Sequence, residues 1–165
     1  RHDMPPASDH HQLSGITLRR DDFPVPDTYR AVVLFAESIG PVCRPDQQDR
    51  FFEDGRLRFD APLLHSRTRP SAWQTWADLT GTSIAQTQQL EFEHFYFSLQ
   101  AAVAGLGVAM GPWHLARDDI DRGILSAPAG FERDGSNYLL LKSEKSKTSK
   151  TQTAFHNWII DVSAG

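Results

Sequence analysis

The stretch Gln89-Leu90-Glu91-Phe92-Glu93-His94-Phe95-Tyr96-Phe97-Ser98-Leu99-Gln100-Ala101-Ala102-Val103-Ala104-Gly105-Leu106-Gly107-Val108-Ala109-Met110 changes its hydrophobic period twice. Over residues 89–96, Leu90, Phe92, His94 and Tyr96 fall on one side and Glu91, Glu93 and Phe95 on the other, the alternation of a strand. From about Phe97 the spacing becomes helical, with Leu99, Ala102, Val103 and Leu106 recurring until Gly105 and Gly107 close the helix. Val108-Ala109-Met110 then reads as a short apolar strand. Strand, tight turn, helix and strand form a βαβ unit, whose expected product is a parallel strand pair with a right-handed crossover.

Upstream, Ile16-Thr17-Leu18 alternates apolar and polar before the charged run Arg19-Arg20-Asp21-Asp22 and the Pro24/Pro26 turn, which predicts a short strand. Residues 29–43 predict a strand whose almost continuously apolar part, 31–36, is buried on both faces, as in sheets covered by helices. Gly40-Pro41 interrupts this run and predicts a bend or a passage between lobes. Residues 45–52 read as a short helix and Pro62-Leu63-Leu64-His65 as a strand stub. Trp73, Trp76, Ala77 and Leu79 lie at helical spacing, stopped by Gly81. Downstream, residues 113–120 predict a short helix, and Ile124-Leu125 and residues 138–141 predict strands. Residues 142–150 form a Lys/Ser/Thr connector, and Phe155, Trp158, Ile159 and Val162 mark a terminal amphipathic helix. Residues 1–13 have no period and read as a loop. No internal repeat is present, and alternating short strands and helices argue for an α/β architecture.

Composition narrows the function classes. The chain has 165 residues, 17 basic and 21 acidic side chains and a formal net charge of -4, with 39% hydrophobic and 23% charged residues. That is an ordinary globular mix, long enough for one domain or two small lobes. A membrane span needs roughly 18 apolar residues in a row, and the best candidate, residues 99–110, is broken by Gln100, Gly105 and Gly107. The opening Arg1-His2-Asp3-Met4-Pro5-Pro6 lacks the layout of a signal peptide and does not begin with Met, so the chain reads as a fragment. A single cysteine, Cys43, excludes an intrachain disulfide and a Cys-rich zinc site and fits a reducing cytoplasm. The negative charge gives no global reason to expect binding to a phosphate backbone.

Catalytic signatures fail one by one. The chain has no G-x-S-x-G elbow, no Walker loop and no H-E-x-x-H. Gly105-Leu106-Gly107 sits at the end of a helix, whereas a dinucleotide fingerprint needs glycine where phosphate meets a helix start. His2, Asp3, His10 and His11 are ordinary metal ligands, but their spacing matches no closed four-ligand pattern, so neither metal nor cofactor is expected. Cys43 could pair with a histidine as nucleophile and base, yet it ends an apolar run and reads better as packing. Glu91 and Glu93 could act as acid and base, but read better as the wet face of a strand. The lysines of residues 142–150 could bind phosphate, but read better as a solvated linker. The turn His94-Phe95-Tyr96-Phe97-Ser98 is the exception, because the first amides of a helix are unpaired and carry partial positive charge. An anionic or polar small molecule could dock there, with His94, Tyr96 and Ser98 adding donors. The competing account makes this turn core: it is preferred for Phe97, and for His94 and Tyr96 both accounts stay open.

The run from Phe92 to Gly111 closely resembles the effector-binding domain of LysR-type transcriptional regulators, in particular the branch typified by the glycine-cleavage activator. Four further features fit in the same order: Ile16-Thr17-Leu18-Arg19-Arg20; Ile39-Gly40-Pro41-Val42-Cys43; Leu63-Leu64-His65 followed by Trp73 and Trp76; and a late helix with Phe155 and Trp158. The resemblance covers about residues 13–162 and implies a two-lobed, periplasmic-binding-protein-like (type 2) α/β fold with mixed sheets and two hinge crossovers. On that pattern residues 39–142 form lobe two, and residues 1–38 with 143–165 form lobe one. The implied effector site between the lobes takes Arg19, Pro41, His65, His94, Phe95, Tyr96 and Trp113. The family's winged helix-turn-helix, its linker helix and the effector domain's opening strand and helix are not in this chain, so lobe one is N-terminally truncated. His94-Phe95-Tyr96 is bulkier than the small polar turn of the wider family. The resemblance implies a cytoplasmic, non-enzymatic ligand sensor that forms homodimers or higher homo-oligomers. Its effector is a small molecule, with Arg19 and the helix amides leaning towards a carboxylate, and it meets promoter DNA only through the helix-turn-helix. A solute-binding protein or an enzyme on the same two-lobed scaffold is the competing reading.

Overall fold

The computed structural model describes residues 12–13, 16–22, 24–85, 89–144 and 149–163. In chain order the elements are β1 (Gln12–Leu13), β2 (Ile16–Arg20), β3 (Tyr29–Val42), a 3-10 turn (Pro45–Gln47) running into α1 (Gln48–Phe51), β4 (Phe52–Glu53) and β5 (Arg56–Leu57). They continue with β6 (Leu63–Ser66), α2 (Ala72–Thr80), β7 (Gln89–Phe92), α3 (Phe95–Val103), β8 (Val108–Pro112), α4 (Trp113–Asp121), β9 (Glu132–Ser143) and α5 (Lys150–Ser163). The chain divides into two compact units between Glu37 and Ser38 and again between Asp134 and Gly135, so β3 and β9 each pass from one unit to the other. The first division falls one residue before the sequence-based boundary. The second falls well before 142, because the later part of β9 pairs with β2 inside the first unit.

In the second unit, residues 38–134, the strand order is β3-β8-β6-β7. β6 pairs in parallel with β7 on one side, Leu64 opposite Leu90, and with β8 on the other, Leu64 opposite Ala109. The end of β3 runs antiparallel to β8, from Ile39 opposite Pro112 to Val42 opposite Ala109. The βαβ unit read from residues 89–110 is therefore present, but its two strands are not neighbours: β6 lies between them and pairs with both.

Both faces of the sheet are covered at β6 and β8, which is why Leu63-Leu64 and Val108-Ala109-Met110 read as continuous apolar runs. Leu63, Val108 and Met110 point into a cluster with Ile39, Phe51, Phe52, Trp73 and Trp76. The alternate residues Leu64 and Ala109 enter a second cluster with Val42, Leu99, Ala102, Ala116 and Leu125. α2 is tied to the sheet by Trp73, whose Nε1 donates to the Leu64 carbonyl at 2.9 Å, and by the burial of Trp73 and Trp76 in the cluster with Leu63, Val108 and Met110. Gly81 ends α2 at φ +67, the left-handed stop expected there.

Three sequence-based expectations are corrected and one is narrowed. α3 starts at Phe95, two residues earlier than the period change suggests, and β7 ends at Phe92. The cause is His94, which keeps an extended backbone while its carbonyl accepts from the amides of Phe97 and Ser98 at 3.1 and 3.3 Å. Residues 31–36 are not buried on both faces; Val33 is 62% exposed, and burial in β3 begins at Glu37 and holds from Ile39 onward, where the strand enters the second unit. At Gly40-Pro41 the strand stays in the β3–β8 ladder, with Pro41 opposite Met110, and of the two expected outcomes it is the passage that occurs, just before, between Glu37 and Ser38. Ile124-Leu125 is not a strand: Leu125 is held by the second cluster, and the neighbouring pairing is the isolated bridge of Cys43 with Ser126.

In the first unit the strand order is β1-β2-β9-β3, with β2 antiparallel to β9 from Ile16 opposite Lys142 to Arg20 opposite Tyr138. Just beyond the ladder, the Asp21 carboxylate accepts from the backbone amide and side-chain amide of Asn137, each at 2.9 Å, and these bonds hold its pKa below the usual carboxylate value. α5 carries Phe155 and Trp158 with ring centroids 6.0 Å apart. Of the Lys/Ser/Thr connector, Lys142 and Ser143 belong to β9, while residues 145–148 lie outside the described residues.

Gly40 has no room for a side chain, because a Cβ there would sit 2.2 Å from the Gly130 carbonyl oxygen, a backbone atom. Gly40→Ala is expected to cost about 2–4 kcal/mol, read as a fall in the urea midpoint. An unchanged midpoint would mean that residues 128–131 do not pack on β3.

Candidate functional site

Register alone brings one set of residues to one end of the second unit. Because β6, β7 and β8 run in parallel, their carboxyl ends at Ser66, Phe92 and Pro112 lie together, and α3 and α4 both start just beyond that end. The antiparallel β3 enters the unit there, with Ile39 opposite Pro112. Carboxyl ends of parallel strands, with helix N-termini beside them, are where ligands dock in open α/β sheets.

The turn between β7 and α3 is the most exposed aromatic part of this end. His94 is the N-cap of α3 with extended backbone at φ -136 and ψ 157, and its side chain makes no capping hydrogen bond. Its Nδ1 is buried and has no hydrogen-bond partner among the described residues. Tyr96 is 64% exposed and meets Phe97 edge-on at 5.7 Å, while Phe97 lies 6.2 Å from the His94 ring. Phe97, expected in the core, is thus 50% exposed, because the earlier helix start rotates it outward. Phe95 turns the other way and packs against the tryptophan cluster. Ser98 is buried, and its hydroxyl donates to the Phe95 carbonyl at 2.8 Å, so it braces the turn.

The strand beside it adds His65, half-buried, with its ring 6.4 Å from Trp73 and its buried Nε2 without a hydrogen-bond partner among the described residues. Burial lowers the His65 pKa, and the nearby Glu91 opposes the shift. Beyond β6, the hydroxyls of Ser66 and Thr68 are 2.8 Å apart. On the far side, Trp113 opens α4, is 37% exposed and meets Phe131 edge-on at 5.1 Å. Pro41 is buried further along β3, opposite Met110. Arg19 belongs to the first unit, in β2 opposite Leu139, and is half-buried. The end of the second unit thus gathers His65, His94, Tyr96 and Trp113 around the first turns of two helices.

Other candidates find places without chemistry. Glu91 and Glu93 are both held by Arg67, at 2.8 Å each, as exposed ion pairs on the β7 edge. Cys43 is fully buried with Sγ 3.7 Å from the Ser126 hydroxyl, and burial pushes its thiol pKa up, away from a nucleophile. Gly105 and Gly107 close α3 ahead of β8. His2, Asp3, His10 and His11 lie outside the described residues. Sequence reasoning misses the Ser66–Thr68 pair, Phe131 at Trp113, and the buried ion pair of Arg69 with Asp134. A run of hydroxyl and arginine residues at the end of a short apolar strand, Ser66-Arg67-Thr68-Arg69, is the signal that could have found the first.

The family model of the LysR substrate binding domain matches residues 15–164. The chain belongs to that family. It is 41% identical over 112 residues to the HTH-type transcriptional regulator TrpI of Pseudomonas aeruginosa, covering 66% of this chain and 38% of that protein. It is 30% identical over 145 residues to the glycine cleavage system transcriptional activator of Escherichia coli, covering 82% of this chain and 45% of that protein. The chain therefore spans less than half the length of these curated relatives. Among solved structures, the effector domain of the transcriptional regulator AmpR of Pseudomonas aeruginosa superposes with a TM-score of 0.73 at 21% identity, over 91% of this chain and 72% of that one. Full-length LysG from Corynebacterium glutamicum with bound effector Arg superposes with a TM-score of 0.60 at 16% identity, over 90% of this chain and 51% of that one. The fold is that of LysR-type effector-binding domains.

His65 and His114 both have pKa values lowered chiefly by burial, so folding favours their neutral forms. The unfolded chain then binds more protons near pH 6, and the stability present above the ordinary histidine pKa is lost as pH falls through it towards the lowered values. The urea midpoint is expected to drop between pH 7.5 and 5.5, and His65→Gln with His114→Gln to flatten that drop. An equal drop in the double variant would contradict the burial of these imidazoles.

Proposed function

We propose that this chain is the effector-sensing part of a bacterial LysR-type transcriptional regulator, in which a small molecule held at the carboxyl end of β6 and β7 modulates transcription by the full-length protein. The observation that carries it is the α3 start. There an uncapped helix N-terminus, a buried His94 Nδ1 without a hydrogen-bond partner among the described residues and an exposed Tyr96 follow β7, the strand that pairs with the His65-bearing β6. Such a set offers a partial positive charge, donors and an aromatic surface to one polar guest. The residues proposed to contact or shape the site are Arg19, Pro41, His65, His94, Phe95, Tyr96 and Trp113. Phe95 acts by fixing the turn from the core side. A carboxylate-bearing effector suits the helix amides and Arg19, and the bound Arg of LysG is consistent with a small amino-acid ligand.

The same reading makes the protein a regulator rather than an enzyme, cytoplasmic and a homodimer or higher homo-oligomer. It reaches promoter DNA through a helix-turn-helix domain outside this chain. No described helix is long and apolar enough to cross a membrane. The effector works by binding one arrangement of the protein better than another, and shifts the equilibrium by no more than that difference.

A thermal-shift screen of the chain against the common amino acids and small carboxylic acids tests the reading. At about 100 times its Kd a true effector adds about 2.7 kcal/mol of stability. His94→Ala and Tyr96→Ala are each expected to lower affinity for that compound about tenfold or more, with the unliganded midpoint moving little. Collapse of the unliganded midpoint would instead make these residues core, and undiminished affinity would move the site elsewhere.

A further inference from the structure

Aromatic exposure in the second unit is concentrated at one end of the sheet. Among its described residues the exposed aromatic side chains, those at 37% or more, are Phe59, Tyr96, Phe97 and Trp113. Three of these four stand at the carboxyl end of the parallel strands, where α3 and α4 begin, whereas Trp73 and Trp76, which hold α2, are 2% exposed. The rings at this end come in pairs. Tyr96 meets Phe97 edge-on at 5.7 Å and Trp113 meets Phe131 edge-on at 5.1 Å, each with ring planes 70° apart. An edge-on pair holds its ring planes in place and leaves ring faces open to a third ring. Phe131 has little freedom to turn, since the Cβ position of Gly40 on β3 is 2.9 Å from its Cδ1. α3 and α4 pack on the same face of the sheet, Leu99, Ala102 and Ala116 meeting Leu64 and Ala109. Only β6 separates β7 from β8, so the strand ends that lead into these helices are two strand spacings, about 10 Å, apart.

We propose that the effector carries an aromatic ring, held by ring-to-ring contact with Tyr96 and Trp113 while its carboxylate lies at the start of α3. The proposal rests on the effector-sensing reading and narrows it from small carboxylates at large to aryl carboxylates. An aliphatic guest of equal size would cover the same apolar surface but forgo the contact of ring edge with ring face, a difference on the order of two- to tenfold in affinity. Tyr96 and Trp113 are then specificity-determining residues, and their exposure is the surface that the guest covers.

Phenylacetate and cyclohexylacetate test the proposal, because they match in charge and chain length and differ in the ring alone. Each is titrated into the chain while nuclear magnetic resonance follows the amides of residues 94–98 and the indole signal of Trp113. Phenylacetate is expected to bind about fivefold tighter and to move signals at both helix starts. Tyr96→Leu is expected to lower that ratio to about two, chiefly by weakening phenylacetate, and Tyr96→Leu with Trp113→Leu to abolish it. Tyr96→Phe, which keeps the ring, is expected to hold the full ratio. Tyr96 is 64% exposed, so its leucine variant leaves the core intact and decides the matter even if the double variant does not fold. Equal affinities in the unaltered chain, or a ratio that Tyr96→Leu does not change, would overturn the aromatic assignment. Signals that do not move with phenylacetate would overturn it as well. The screen of amino acids and small carboxylic acids then separates the two claims: a non-aromatic ligand found there keeps the sensing reading, and an empty screen removes that reading too.

Discussion

The pairing of β6 with a parallel neighbour on each side is the constraint on which everything else in the second unit depends. With Leu64 opposite Leu90 in β7 and Ala109 in β8, three strands must end together and two helices must begin beside those ends. Parallel ladders of this kind need cover on both faces. The alternate residues Leu63 and Leu64, and Val108 and Ala109, supply it by entering opposite clusters. A one-residue slip of β6 would exchange these faces and carry His65 into the core.

That geometry explains why one end of the unit is chemically rich and the other is not. At the opposite end of α3, the helix is closed by Gly105, and the guanidinium of Arg44 and the side-chain amide of Gln47 donate to the carbonyls of Ala104 and Gly105 at 3.4 and 3.1 Å. Those bonds satisfy the carbonyls that a helix leaves unpaired, and place positive charge at its negative pole. At the start of α3 nothing comparable occurs among the described residues, because the N-cap is a histidine whose side chain makes no capping hydrogen bond to the helix amides. A serine or aspartate at that position would close the turn on itself. The histidine leaves the amide pole available and exposes Tyr96 next to it.

Much of this is legible in the sequence where the signal is local. The change of period between residues 92 and 99 locates the turn, and the glycines at 81, 105 and 107 mark helix ends that the structure keeps. The start of α3 reads late because Phe95, Tyr96 and Phe97 fit either period, and only the hydrogen bonds to the His94 carbonyl decide between them. The adjacency of β7 and β8 is misleading because strand order is a long-range property: β6, which separates them, precedes both in the chain. The burial of residues 31–36 fails for a related reason, since apolar composition says nothing about whether a covering layer is present. At the site, His94 and Tyr96 follow from the strand-to-helix turn. The Arg69–Asp134 pair joins residues distant in sequence and has no local pattern to announce it.

The claim that the carboxyl end of β6 and β7 is the receptive surface is tested most directly by amide correlation spectra of the chain, recorded before and after adding a mixture of amino acids and short carboxylic acids. Perturbed amides are expected to concentrate in residues 65–68, 94–98 and 113–114. Perturbation centred instead on residues 44–47 and 104–107, at the other end of α3, would contradict that claim.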